Sequence, residues 1–252
     1  MMNQQQSKKI AWVTGVNQGI GAAIFQRFHE QGMQVVGFDI SKRNVPEQLK
    51  PFVYECDVKR SSHVDELCQQ LLVSSPPDYF VSVAGVLEVN KIAQATIAQW
   101  HNTFAVNLFG PVYFMRWLTP HFQQRRAGSI VFVSSNAARV PRVGMAAYGA
   151  SKAALTNMAK TLALELAPYS VRVNSVSPGS TFTSMQTDMW VNGGSEQRTI
   201  AGDMENYKLG IPLQKLATTA DIADAVTFLT SEQAGHITMH DLVVDGGATL
   251  GG

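Results

Sequence analysis

Cysteine is scarce in this chain: Cys56 and Cys68 are the only two in 252 residues. They have neither C-x-x-C spacing nor the density of a secreted disulfide scaffold, and read as reduced packing residues. An excess of one charge is also lacking. Twenty Lys and Arg against 19 Asp and Glu leave a net charge of +1 without long like-charge blocks, which argues against nucleic acid or an anionic membrane as partner and for a small molecule. Long apolar runs are missing too. No stretch approaches the ~20 residues of a membrane span. After the polar, Gln-rich start Met1 to Lys9, the run Ile10-Ala11-Trp12-Val13 is too short for a signal h-region, so a cytoplasmic protein is expected. His236 and His240 are four apart with no third ligand nearby, and no metal site is expected there. With 45% hydrophobic and 15% charged residues and no repeat or low-complexity stretch, the chain fits a single α/β domain over residues 1–252.

Strand-like and helix-like stretches alternate. Ile10 to Thr14 reads as a buried strand running into Gly15-Val16-Asn17-Gln18-Gly19-Ile20-Gly21, after which Ala22 to Gln31 has helical composition. Strand, glycine turn and helix form the arrangement that cradles a pyrophosphate on free N–H groups at a helix start. The spacing here is G-x-x-x-G-x-G, and a plain tight turn would look the same. Gln34 to Asp39 is the next strand, with an acid at its C-terminal end where a carboxylate would accept hydrogen bonds from an adenosine ribose. Asp39 would repel a 2′-phosphate and so favours NAD over NADP, although Lys42 and Arg43 follow closely.

Further strands are expected at Phe52 to Val58, Asp78 to Gly85, Ser129 to Val133, Val171 to Ser177 and Leu242 to Asp245. Helices are expected at Val64 to Leu72, Ala98 to Gln124 with interior Pro111, from Tyr148 to about Ala167, and from Thr218 through Leu229. The alternation predicts right-handed crossovers and a doubly wound parallel sheet of about seven strands with helices on both faces. Ligands then bind beyond the strands' carboxyl ends, where Gly15, Asp39, Gly85, Ser135 and Pro178 fall. Phe182 to Leu216 breaks the rhythm and reads as a lid-like excursion over that edge.

Tyr148 and Lys152 stand four apart on one expected helix face. A phenol titrates near ~10, so it needs a cation beside it to act as a base at neutral pH, and lysine is such a cation. Ser135, just past a strand, could bring a hydroxyl to the same place. Asn107 is a polar residue amid apolar ones and, if buried, must be hydrogen-bonded, either structurally at a helix kink or as part of a site.

Thr14-Gly15-x-x-x-Gly19-Ile20-Gly21, Asp57-Val58, Asn107, Ser135, Tyr148-x-x-x-Lys152 and Pro178-Gly179, in this order and spacing, resemble the short-chain dehydrogenase/reductase family over essentially the whole chain. One departure is Ser82-Val83-Ala84-Gly85, where that family commonly has Asn-Asn-Ala-Gly. The resemblance implies a Rossmann-type fold, an NAD-linked oxidoreductase, and a homotetramer built on the long helices. It implies Tyr148 as base, Lys152 lowering the tyrosine pKa, Ser135 holding the reacting oxygen and Asn107 holding a water that links Lys152 to solvent. Cofactor contacts are implied for Gly15, Gln18, Gly19, Ile20, Gly21, Asp39, Asp57 and Val58. The same holds for Ala84, Gly85, Tyr148, Lys152, Pro178, Gly179, Thr181 and Thr183.

Pro141 to Leu155, Ser177 to Thr181 with Met185-Gln186 and Trp190-Val191, Lys208 to Leu213, and the ending Val243 to Gly251 are similar to family members that oxidise a carboxylated cyclohexadiene diol in catecholate siderophore biosynthesis. That likeness implies a substrate pocket of Gly144, Met145, Met185, Gln186 and Trp190, and leaves open docking on an isochorismatase partner. The substrate carboxylate wants a cation, and Arg142 is the best-placed candidate, with Arg139 behind it. The alternatives are another NAD(P)-linked ketoreductase of the same fold and a non-catalytic nucleotide-binding scaffold.

Overall fold

The computed structural model describes residues 8–190 and 194–251; the start of the polar leader, Val191 and Gly193 lie outside the described residues. Seven parallel strands form one sheet in the order β3-β2-β1-β4-β5-β6-β7. They are β1 Ile10–Thr14, β2 Gln34–Asp39, β3 Val53–Glu55, β4 Tyr79–Ser82, β5 Gly128–Val133, β6 Val171–Pro178 and β7 Asp241–Val244. The order reverses between β1 and β4, which opens a crevice at their carboxyl ends.

Alternate strand residues feed two cores, as a pleated sheet covered on both faces requires. Trp12, Phe38 and Phe80 point to the face covered by α2 (Ser61–Ser74), α4 (Gly110–Arg125) and α5 (Ala146–Leu166). Val13 and Val81 point to the face covered by α1 (Gly19–Glu30) and α8 (Thr219–Thr230). Cys56 and Cys68 belong to the first core, and burial pushes both thiols up to about 12, so neither is a nucleophile at neutral pH.

Three elements differ from expectation. The third strand is short, because Pro51 starts a turn over Lys50–Phe52 and β3 lies at the sheet edge with β2 as its one neighbour. The long helix expected around Asn107 is two helices, α3 (Ile97–Phe104) and α4, joined by a π-helical turn over Ala105–Phe109. Pro111 is the cause: it has no N–H to offer the carbonyls of Val106 or Asn107, so the ladder slips by one residue ahead of it.

The described residues of the 182–216 excursion are built rather than loose. Thr183 caps a short helix α6 (Ser184–Asp188), Ser195 caps α7 (Glu196–Ala201), and Ile211, Leu216 and Ala248 form a small core with Trp190 and Ile200 against it. His236 and His240 lie in turn and loop instead of sharing a helix face.

The Ser82-Val83 replacement leaves β4 braced from its neighbour. The buried hydroxyl of Thr14 accepts from the N–H groups of Val83 (2.9 Å) and Ala84 (3.1 Å), tying the ends of β1 and β4 together.

Candidate active site

A cleft of about 1180 Å³ runs along the carboxyl ends of the strands. Its first part is the glycine turn. Gly15 has φ +75°, and a Cβ there would stand 2.8 Å from the Ala84 nitrogen; one on Gly21 would stand 1.9 Å from the Gly15 carbonyl oxygen. Only glycine lets β1, the turn and α1 approach so closely. Gln18, at the N-cap of α1, has extended backbone and no side-chain cap, so the first N–H groups of α1 remain unclaimed by a capping side chain where Gly19, Ile20 and Gly21 line the cleft. That cradle, apolar at Val58 and Ala84 and open at a positive helix end, fits a dinucleotide's pyrophosphate.

Asp39 lines the same cleft. Its carboxylate accepts from the Asn17 N–H (2.9 Å) and the Ser41 N–H (3.2 Å); partial burial raises its pKa, and these backbone donors pull it back. Lys42 and Arg43 are not among the residues lining the cleft, whereas Asp57, Gly85, Pro178, Gly179, Thr181 and Thr183 are.

The middle of the cleft holds Ser135, Tyr148 and Lys152. Lys152 is 4% exposed, and its ammonium donates to the Val133 carbonyl (2.8 Å) while lying 5.9 Å from the centre of the Tyr148 ring. Burial lowers the Lys152 pKa from 10.5 to about 8. Burial likewise raises the Tyr148 pKa, with the neighbouring Ser135 hydroxyl pulling it partly back. In the protein alone, then, desolvation opposes the charged form of both partners. Ser135 accepts from the Ala137 N–H (3.1 Å), which leaves its own proton to donate to an oxygen in the cleft.

Asn107 does not line the cleft. It is fully buried at the π turn, where its amide accepts from the Val86 N–H (2.9 Å) and donates to the Val86 carbonyl (3.0 Å) and to Ser151 Oγ (3.0 Å). Ser151 in turn donates to the Tyr148 carbonyl (2.7 Å). The side chain therefore braces the first turn of α5.

At the far end, Arg139 is committed: its guanidinium bonds the buried Asp241 (3.0 Å). Arg142 has no such pairing among the described residues. Its guanidinium is half-buried in the cleft with a pKa lowered by burial, Asp245 acting weakly in the other direction. Met145, Met185, Gln186 and Trp190 line the cleft as well, Trp190 also donating to Thr199 Oγ1 (3.1 Å). Gly144 lies behind it. Its φ of +80° and its carbonyl, which accepts from the Asn90 N–H (2.8 Å), shape the turn that presents Met145. Sequence reasoning missed Thr14 and Asn17, whose roles depend on partners brought together only by strand order.

A protein-family profile described as enoyl-(acyl carrier protein) reductase matches residues 15–249. The chain is 45% identical to the 2,3-dihydro-2,3-dihydroxybenzoate dehydrogenase of Bacillus subtilis, over 96% of this chain and 97% of that one. It is also 45% identical to the enzyme of the same name in Escherichia coli, over 97% and 98% of the two chains. Among solved structures, a 4-hydroxyisoleucine dehydrogenase mutant complexed with NADH and succinate superposes with a TM-score of 0.88 at 29% identity, over 96% of this chain and 99% of that one. ElxO with NADP bound does so at 0.86 and 25%, with the same coverage.

Proposed function

The chain belongs to the short-chain dehydrogenase/reductase family, and we propose that within it the protein is an NAD-dependent 2,3-dihydro-2,3-dihydroxybenzoate dehydrogenase of siderophore biosynthesis. The single observation that carries the reading is the full-length 45% identity to dehydrogenases of that name, and a cation-bearing pocket beside Tyr148 agrees with it.

When bound, NAD supplies the hydride acceptor and a positive ring beside the base. The protein's part is to hold and deprotonate. Gly15 to Gly21 and the start of α1 take the pyrophosphate, and Asp39 takes the adenosine ribose hydroxyls. Ser135 donates to the reacting hydroxyl oxygen. Tyr148, as phenolate, removes that oxygen's proton while the hydrogen on the same carbon departs with its electron pair. Lys152 holds the nicotinamide ribose and stabilises the phenolate. The ring ketone so formed tautomerises to a catechol, and aromatisation drives the oxidative direction. The segment 182–216 covers the ring, and Arg142 meets its carboxylate. We expect a cytoplasmic homotetramer, built through the helices that carry exposed Phe109 and Leu164.

Mixing the protein with NAD and the dihydrodiol acid is expected to yield NADH and 2,3-dihydroxybenzoate in equal amounts. Absence of NADH, with reduction of an acyl or sugar ketone instead, overturns the reading. Cofactor choice has its own test. Replacing Asp39→Ser is expected to lower kcat/KM with NAD roughly 10- to 100-fold, as loss of hydrogen bonds to a charged acceptor implies, and to improve use of NADP. Unchanged preference would remove Asp39 from the ribose site.

A further inference from the structure

Arg142 is not the only cation at the far end of the cleft. Lys208, carried by the 182–216 segment, lines the same cavity, and the two positive groups interact. Burial and the Arg142 guanidinium both lower the Lys208 pKa, and Asp203 only partly offsets them. Among the described residues neither Arg142 nor Lys208 forms an ion pair or a side-chain hydrogen bond, although Arg139, close by in sequence, is fully engaged with Asp241.

The backbone that carries Lys208 is held firmly. Asp203 and Lys208 exchange two N–H to carbonyl bonds (2.7 and 2.8 Å) across a tight turn. Gly202 and Gly210 bring the stems of that turn together, since a Cβ on Gly202 would meet the Gly210 nitrogen at 2.6 Å and one on Gly210 the Ile200 oxygen at 2.5 Å. Asp203 spends its carboxylate on Asn206 within the turn (2.8 Å). A braced turn thus places a partly buried amine, unpaired among the described residues, within electrostatic reach of the Arg142 guanidinium in one cleft. Two like charges so placed repel, and an anion between them relieves the repulsion.

We propose that Lys208 is the second half of the substrate-carboxylate clamp, closing on the anion from the covering segment while Arg142 holds it from the segment before α5. This rests on the dihydrodiol-acid reading and deepens it. Arg142 offers a planar fork and Lys208 a point charge, so one carboxylate satisfies both. Only a carboxylated ring ties the covering segment to the floor of the pocket, which makes Lys208 a determinant of substrate class.

The test compares wild type with Lys208→Gln and Lys208→Arg on the dihydrodiol acid and on the same diol without its carboxylate, with NAD titrated separately. Lys208→Gln is expected to raise KM for the acid roughly 10- to 100-fold, the range for losing one charged hydrogen-bond partner. It leaves the uncarboxylated diol and the KM for NAD unchanged, and Lys208→Arg restores most of the loss. Binding of benzoate to the NAD-loaded protein, measured by calorimetry, should weaken in parallel. Equal losses on both diols would make Lys208 a scaffold of the turn, and a raised KM for NAD alone would move it to the cofactor; either overturns the clamp. If wild type fails to oxidise the acid, the functional reading falls, whereas benzoate binding still reports on the clamp.

Discussion

Replacing Tyr148→Phe is expected to lower kcat for dihydrodiol oxidation by roughly 10²- to 10⁴-fold, the range that general acid–base catalysis supplies, while NAD still binds. The ring lies beside Lys152 in the cleft, and the substitution removes one oxygen and no carbon, so it changes chemistry with little change in volume. Burial raises the Tyr148 pKa in the protein alone, and lowers that of Lys152 to about 8. The Lys152 ammonium alone does not offset that burial, and under the proposed mechanism a second positive charge, the nicotinamide ring, completes the activation of the base. Wild-type kcat should therefore climb with pH along a limb reporting Tyr148 ionisation in the loaded enzyme, and the phenylalanine variant should lose that limb. Stopped-flow measurement of NADH release across pH checks both points. A variant that kept wild-type turnover, or the same pH limb, would assign the proton to another group.

The sheet and the meeting of Ser135, Tyr148 and Lys152 in one cleft were legible because their signals are local. Apolar five-residue runs, the glycines after Thr14 and the four-residue step from Tyr148 to Lys152 each carry their meaning within one turn or strand, and each of the seven strands overlaps its expected stretch, β3 in shortened form. Asp39 belongs to the same class, as an acid ending a strand. At Asn107 the sequence left a helix kink and a site role both open, and the π-helical turn takes the first form; a missing N–H at Pro111 breaks a helix or shifts its ladder, and neighbouring packing decides which. Pairings such as Thr14 with Val83, or Arg139 with Asp241, could not be read at all. They join residues far apart in sequence, and strand order alone brings them into contact. Asp241 is what separates Arg139 from Arg142, two arginines that sequence could rank only by distance from Tyr148. The 182–216 segment hid its order for a related reason. Its small core borrows Ala248 from the C-terminal end, so no window of its own sequence looks self-sufficient.

Lys152→Met is expected to abolish turnover and, in the absence of cofactor, to make the protein more stable at neutral pH. The amine is 4% exposed and titrates near 8 in the folded chain against 10.5 unfolded. At about 1.4 kcal/mol per pH unit, holding the ammonium in the fold costs about 3 kcal/mol. Its bond to the Val133 carbonyl returns about 1 kcal/mol of its own, which the variant forgoes. Methionine is unbranched, of similar length, and needs no desolvation. The variant should therefore gain about 2 kcal/mol at pH 7, read as a higher urea midpoint at unchanged slope. The sign follows from proton counts. Between pH 8 and 10.5 the unfolded chain holds the proton and the folded one has released it, so wild-type stability rises with pH through that window. The gap between variant and wild type is full below about 8 and closes towards 10.5. NAD should reverse the order, because under the proposed function Lys152 holds the nicotinamide ribose and wild type then gains more from mass action. A variant less stable than wild type at pH 7, or a gap that ignores pH, would mean that the ammonium sits at ease in the cofactor-free site, and that the buried cation beside Tyr148 is not held there at the expense of the fold.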